Sequence, residues 1–189
     1  MRARILGLIA LIAVLTLLPA DPARAAWPHE RDGILLGFGL GGGTAGVNYL
    51  DVDTDRESSI GGSFRVGYAF TPQIAAGIEG TFWTKEVIDD VTWTFNVTTA
   101  ALTYYPGAAG FFVRGGIGAG SMELEIDQGG GVTTTASDDG FGFLLGAGYE
   151  WRLSRKFALG PAVDYSYAKI NDDISLNYVN FTAGLTWYF

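Results

Sequence analysis

The stretch Phe141-Gly142-Phe143-Leu144-Leu145-Gly146-Ala147-Gly148-Tyr149-Glu150-Trp151 decides how the chain folds. Phe141, Phe143, Leu145, Ala147, Tyr149 and Trp151 recur at every second position, against Gly142, Gly146, Gly148 and Glu150. A repeat of two is the period of a strand, because successive side chains point to opposite faces. One face of this strand is large and aromatic, and the other is glycine-rich, with Leu144 and a carboxylate its only large side chains.

The same pattern spreads in both directions. Ile34, Leu36, Phe38 and Leu40 interleave with Gly37, Gly39 and Gly41, and Phe64, Val66, Tyr68 and Phe70 with Ser63, Arg65 and Gly67. Ile74, Ala76, Ile78 and Phe82 stand opposite Glu79 and Thr81, a fourth run covers Val91 to Tyr105, and Phe111, Val113, Ile117 and Ala119 oppose Arg114, Gly116 and Gly118. After the run at 141–151 come a seventh from Phe157 to Tyr167 and an eighth from about Ile174 to Phe189. Turn-forming residues at Pro72, Pro106–Gly110 and Ser154–Lys156 are short, whereas polar loops at Leu50–Ser58, Lys85–Asp90, Glu123–Asp139 and Lys169–Asp173 are longer. An even strand count with short turns at one end and longer loops at the other predicts an all-β, eight-stranded, antiparallel up-and-down transmembrane β-barrel.

The placement of charge separates this from a soluble barrel, which keeps charges on its outer face. Arg65, Glu79, Arg114, Glu150 and Asp164 all share parity with the small residues, so they are expected to form an ion-pair network in the lumen. Two arginines against three carboxylates would leave a weak cation preference if any path opened. Aromatic bands are expected at both ends, with Tyr68, Phe70, Tyr149, Trp151, Phe157, Trp187 and Phe189 near the short turns and Phe82, Trp93, Phe141, Phe143 and Tyr167 near the loops. Two places resist. The fourth strand is expected to change face, with Val91, Trp93, Phe95 and Val97 on one parity and Leu102 and Tyr104 on the other, which a bulge near Thr98–Ala100 would reconcile. Pro161 lacks an amide hydrogen in a sheet with no edge, so a local ladder defect is expected there.

Composition agrees. The chain has 189 residues, no cysteine and 28 glycines, together with 12 Phe, 9 Tyr and 5 Trp, which excludes a disulfide scaffold and a disordered or collagen-like chain. A net charge of −8 argues against a nucleic-acid partner. Arg2 and Arg4, the apolar run Ile5–Leu18 and Ala23-Arg24-Ala25 read as a secretory signal over residues 1–25. Residues 26–32 then form a periplasmic segment and 33–189 the barrel, in a protein exported to the outer membrane.

The runs Phe112-Val113-Arg114-Gly115-Gly116-Ile117-Gly118 and Gly146-Ala147-Gly148-Tyr149-Glu150-Trp151, with the ending Asn180 to Phe189, resemble the small eight-stranded outer-membrane barrels of the OmpA-like, OmpX-like and opacity-like kind. That resemblance implies no cofactor. It implies outer-membrane lipids and lipopolysaccharide as surroundings, the barrel-assembly machinery and periplasmic chaperones as partners during biogenesis, and a monomer. It also implies that Phe181, Ala183, Leu185, Trp187 and Phe189 form the terminal signal read by that machinery. No peptidoglycan-binding domain is expected after the last strand.

Catalytic chemistry finds little to work with. Gly37-x-Gly39-x-x-Gly42 matches a dinucleotide fingerprint by letters but lacks the strand–helix setting that motif needs. The Asn-x-Thr sequons at Asn96 and Asn180 lie inside strands. Membrane barrels that cleave or transfer lipid acyl chains, and the omptin proteases, rely on a histidine near the outer surface, whereas the one histidine here, His29, precedes the first strand. The loops are acidic, with Asp51, Asp53, Asp55, Asp138 and Asp139 as candidate contacts for divalent cations bridging to lipopolysaccharide phosphates. The functional expectation is a structural, envelope-stabilising or surface-interacting protein without catalytic turnover. A narrow channel and an adhesin acting through the acidic loops are the alternatives.

Overall fold

The computed structural model describes residues 31–50, 52–88, 91–127 and 133–189. Eight long strands are present: β1 (Gly33–Tyr49), β2 (Glu57–Thr71), β3 (Ile74–Ile88), β4 (Val91–Tyr104), β5 (Phe111–Asp127), β6 (Thr133–Tyr149), β7 (Phe157–Lys169) and β8 (Ile174–Tyr188). Two-residue pieces at Val52–Asp53 and Trp151–Arg152 extend the wall locally. Each long strand pairs antiparallel with its neighbour in sequence, and β1 pairs with β8 from Leu35↔Tyr188 to Tyr49↔Ile174, which closes the barrel. No strand edge is left along the closing seam.

The outer face carries the large apolar side chains, such as Phe38, Ile60, Ile117, Leu145 and Phe181, all exposed. Near the short turns the outward rings touch in pairs, Phe157 against Trp187 at 4.6 Å and Trp187 stacked on Phe189 at 5.3 Å. Those turns are closed by side chains: the Thr71 hydroxyl accepts from the amides of Gln73 and Ile74, and Ser154 does the same for Lys156 and Phe157. Between β4 and β5 a single 3₁₀ turn, Pro106–Ala108, has Gly107 at φ 66°.

Two expectations are corrected here. The fourth strand keeps one face throughout, since β4 stays in register with β5 from Val91↔Ile126 to Tyr104↔Val113 without a bulge. Phe95 and Val97 are instead buried inside the barrel, and half-buried Trp93 packs against that interior cluster rather than joining an outer band. Register irregularities lie elsewhere, between β3 and β4 at Glu86/Ile88 by the loop and between β2 and β3 at Ala69/Thr71 by the short turn.

The loop expected at Glu123–Asp139 is mostly ladder: β5 and β6 remain paired out to Asp127↔Thr133. Strands of 13 to 17 residues exceed the ~9–11 needed to cross a bilayer. The wall therefore continues past the lipid, where Glu123, Glu125, Asp138 and Asp139 suit water. Of residues 26–32, Arg31 and Asp32 are described: Arg31 turns into the barrel mouth and is 1% exposed. The signal segment and His29 lie outside the described residues.

At Pro161 the β6–β7 ladder is interrupted. Pairs run to Gly148↔Ala162 and resume at Trp151↔Leu159, leaving Tyr149 and Glu150 unpaired opposite Pro161 and Gly160. The Glu150 amide donates instead to the carbonyl of Gly110 at 2.9 Å.

Candidate functional site

The interior is filled in tiers. At the turn end Leu35, Ala69, Ala75, Ala158 and Tyr188 form a small apolar cluster. Above it lies the first charged tier, centred on Glu150 at the ladder interruption. Its carboxylate is paired with Arg65 of β2 and accepts from the hydroxyls of Tyr188, at 2.8 Å, and Thr186, at 3.2 Å. Arg31 Nε stands 3.6 Å from the same carboxylate, and its guanidinium lies 3.6 Å over the Tyr105 ring while donating to the carbonyls of Pro72 and Ala109. Arg31 thus ties two of the short turns to the barrel interior.

The second charged tier is Glu79–Arg114–Asp164. Arg114 holds Asp164 in a two-pronged contact, Nε to Oδ1 at 2.9 Å and a second nitrogen to Oδ2 at 2.7 Å, and reaches Glu79 at 3.0 Å. Thr103 donates to Glu79 at 3.1 Å. Phe112 lies between the tiers, with Arg65 and Arg114 over its ring at 5.6 and 5.5 Å. Although Arg65 and Glu79 are directly paired across β2 and β3, each takes its charged partner from across the lumen.

Farther toward the loops comes a neutral polar tier. The Thr81 hydroxyl meets Ser166 at 2.7 Å and Tyr178 at 2.9 Å, and Asn180 donates to the carbonyl of Phe82 at 2.8 Å. Asn180 is completely buried, so its sequon is a buried polar anchor. An apolar plug of Trp83, Phe95, Val97, Leu176 and their neighbours closes the loop end.

Every residue of the expected lumen set is buried: Arg65, Glu79, Arg114, Glu150 and Asp164. The sequence missed Arg31, Tyr105, Tyr188 and Phe112. Tyr188 was legible, since it alternates with outward Trp187 and Phe189; Arg31 stands outside the alternating runs. Its addition brings the buried tally in these two tiers to three arginines and three carboxylates, so the expected excess of carboxylate disappears. Arg152 is also buried, at the turn end, 4.4 Å over the Tyr188 ring.

Enclosed space is scarce. A void of about 30 Å³ lies beside Arg65, Phe112, Arg114 and Glu150, and another of about 10 Å³ beside Glu79 and Thr103. Two glycines of the fingerprint-like motif, Gly37 and Gly39, face this crowded interior, where a Cβ at Gly37 would fall 2.6 Å from Arg65, whereas Gly42 lies on the outer face. Phe181, Ala183, Leu185, Trp187 and Phe189 share the outer face of the last strand and its end. Asp55, Asp138 and Asp139 are exposed at the loop end, the last two within β6; Asp51 and the Asp53 side chain lie outside the described residues. Among the described residues no three His, Cys, Asp or Glu side chains gather to hold a metal ion.

No curated protein matches the sequence. In fold the chain is similar to Ail, the attachment invasion locus protein of Yersinia pestis, with a TM-score of 0.53 and 19% identity over 84% of this chain and 99% of that one. Neisserial surface protein A gives a TM-score of 0.56 and 15% identity over 83% and 97%. At these identities the likeness is one of fold. The family model of the outer membrane protein beta-barrel domain matches residues 10–189. The match spans nearly the whole chain, whose strands close into an eight-stranded barrel, and the chain belongs to this outer-membrane family.

Proposed function

We propose that the protein is a non-conducting structural and surface-interaction barrel of the outer membrane, without catalytic turnover, with its termini and short turns in the periplasm and its loops outside. The observation that carries this reading is the filled lumen. Two tiers of ion pairs, a hydroxyl tier and an apolar plug stand in series, and the void beside the arginines is about 30 Å³, room for a few waters at most. Moving an ion through would require breaking buried pairs, each break costing about 3–5 kcal/mol. A cation-preferring channel loses its electrostatic argument once Arg31 makes the buried arginines of the two tiers equal in number to their carboxylates. In planar bilayers the purified barrel is expected to show no discrete conductance steps, and steps that persist with ohmic behaviour across salt would overturn the closed reading.

The exposed end favours cationic partners over anionic ones. Ail has been solved in complex with the heparin analogue sucrose octasulfate. Here the loop end carries Asp55, Glu57, Glu123, Glu125, Asp138, Asp139, Asp172 and Asp173 against Arg56, Lys85 and Lys169. Lys85 is already paired with Glu57, Lys169 with Asp172, and Arg56 donates to Asn177 at 2.5 Å. A sulfated polysaccharide would meet mainly like charge. Divalent cations bridging these carboxylates to lipopolysaccharide phosphates would stabilise the envelope, as would a cationic surface ligand.

A further inference from the structure

The apolar plug does not fill the barrel to its rim. A pocket of about 270 Å³ opens at the loop end, floored by Trp83, Trp93 and Phe95, with Asp55, Glu57 and Lys85 on its outer side. Its lining is chiefly apolar. The rings hold one another in place, Trp83 stacked on Phe95 at 5.3 Å and Trp93 edge-on to Phe95 at 6.0 Å, and the Trp83 indole donates to the carbonyl of Gly43 at 3.3 Å. This floor is therefore rigid before any ligand arrives, which lowers the ordering cost of binding.

The pocket joins two chemistries that a ligand must satisfy together. Aromatic rings remove an apolar body from water and attract positive charge at their faces, indole most strongly. Lys85 is neutralised by Glu57, while Asp55 has no ion-pair partner among the described residues. A neutral apolar molecule would leave Asp55 unanswered, and an anion would meet the acidic rim. We infer that this pocket binds small organic ammonium ions bearing an apolar or aromatic arm, with the arm on the ring floor and the ammonium toward Asp55. The site lies above the hydroxyl tier, so binding is independent of whether the lumen conducts, and either reading can fail without the other.

The test uses the full folded chain in lipid nanodiscs, with equilibrium dialysis against 2-phenylethylammonium, 2-phenylethanol and phenylacetate, and empty nanodiscs to subtract partition into lipid. The ammonium is expected to bind saturably and about tenfold tighter than the alcohol, with no saturable phenylacetate binding. Asp55→Asn, at an exposed position that leaves the fold intact, is expected to weaken the ammonium about threefold and leave the alcohol unchanged. Trp93→Ala should weaken both, with heat-modifiable migration checking that this variant is folded. Equal binding of ammonium and alcohol, an Asp55→Asn variant indistinguishable from the parent, or no saturable ammonium binding above empty discs would each overturn the inference.

Discussion

At the scale of single residues, the arginines of the lumen depend on glycines beside them. Gly146 sits in register between Arg114 and Asp164, and Gly37 between Arg65 and Thr186. A Cβ at position 146 would collide with Asp164 Oδ1 and fall 2.9 Å from Arg114 Nε. Gly146→Val is therefore expected to push Arg114 off Asp164 and destabilise the barrel by about 3 kcal/mol or more, read by urea unfolding in lipid vesicles. Arg114→Met, which orphans both Glu79 and Asp164, should cost about 3–5 kcal/mol. A loss below ~1 kcal/mol for Arg114→Met would mean a hydrated lumen and would revive conduction. The inward parity of the charged residues was visible in the sequence, because each shares alternation with small neighbours. Their partners were not, because a pair such as Arg65 and Glu150 is formed across the lumen by strands distant in sequence. Arg31 carried no signal at all, since a lone arginine ahead of the first strand reads as solvated.

At the scale of the strand, alternation proved more reliable than the character of single side chains. In β4 the aromatics Trp93 and Phe95 suggested a lipid face and forced an imagined bulge, yet Val97, Thr99, Ala101 and Thr103 continue their parity into the lumen. Large rings point inward there because the loop end of the barrel has no charged tier to occupy it. β6 offers the clean case for measurement: Leu145 is 56% exposed and Gly146 faces the interior pair. Leu145→Arg should cost about 2–4 kcal/mol near the bilayer midplane. A spin label at 145 should be relaxed by oxygen and not by a water-soluble agent, with labels at 143 and 147 following the same parity; the opposite accessibility would invert the barrel. For β8, we propose that the outward row ending at Phe189 is the address read during assembly. Deleting Phe189 should leave protease-sensitive protein in the periplasm, and a normal yield of heat-modifiable barrel from that deletion would remove the assignment.

At the scale of the whole molecule, topology was legible because eight alternating runs admit few closed arrangements, whereas loop lengths were not, because polar alternation beyond the lipid looks like loop until its ladder is seen. Closure also brings the two ends of the barrel together: the Phe189 amide donates to the carbonyl of Ile34 at 2.9 Å, and Gly33 packs against the Phe189 carbonyl. As a closed ring the barrel has no privileged first strand; only the cell imposes one. A circular permutant with Phe189 joined to the segment before Arg31 by a short glycine linker, and cut within Asn171–Asp173, would keep every ion pair of the two charged tiers. It would instead present Asn171 or Asp172 as its last residue. Such a chain should refold in lipid vesicles to the parent's stability yet fail to be delivered in living cells, so the sequence that makes the object and the sequence that addresses it become separable messages written on the same strand.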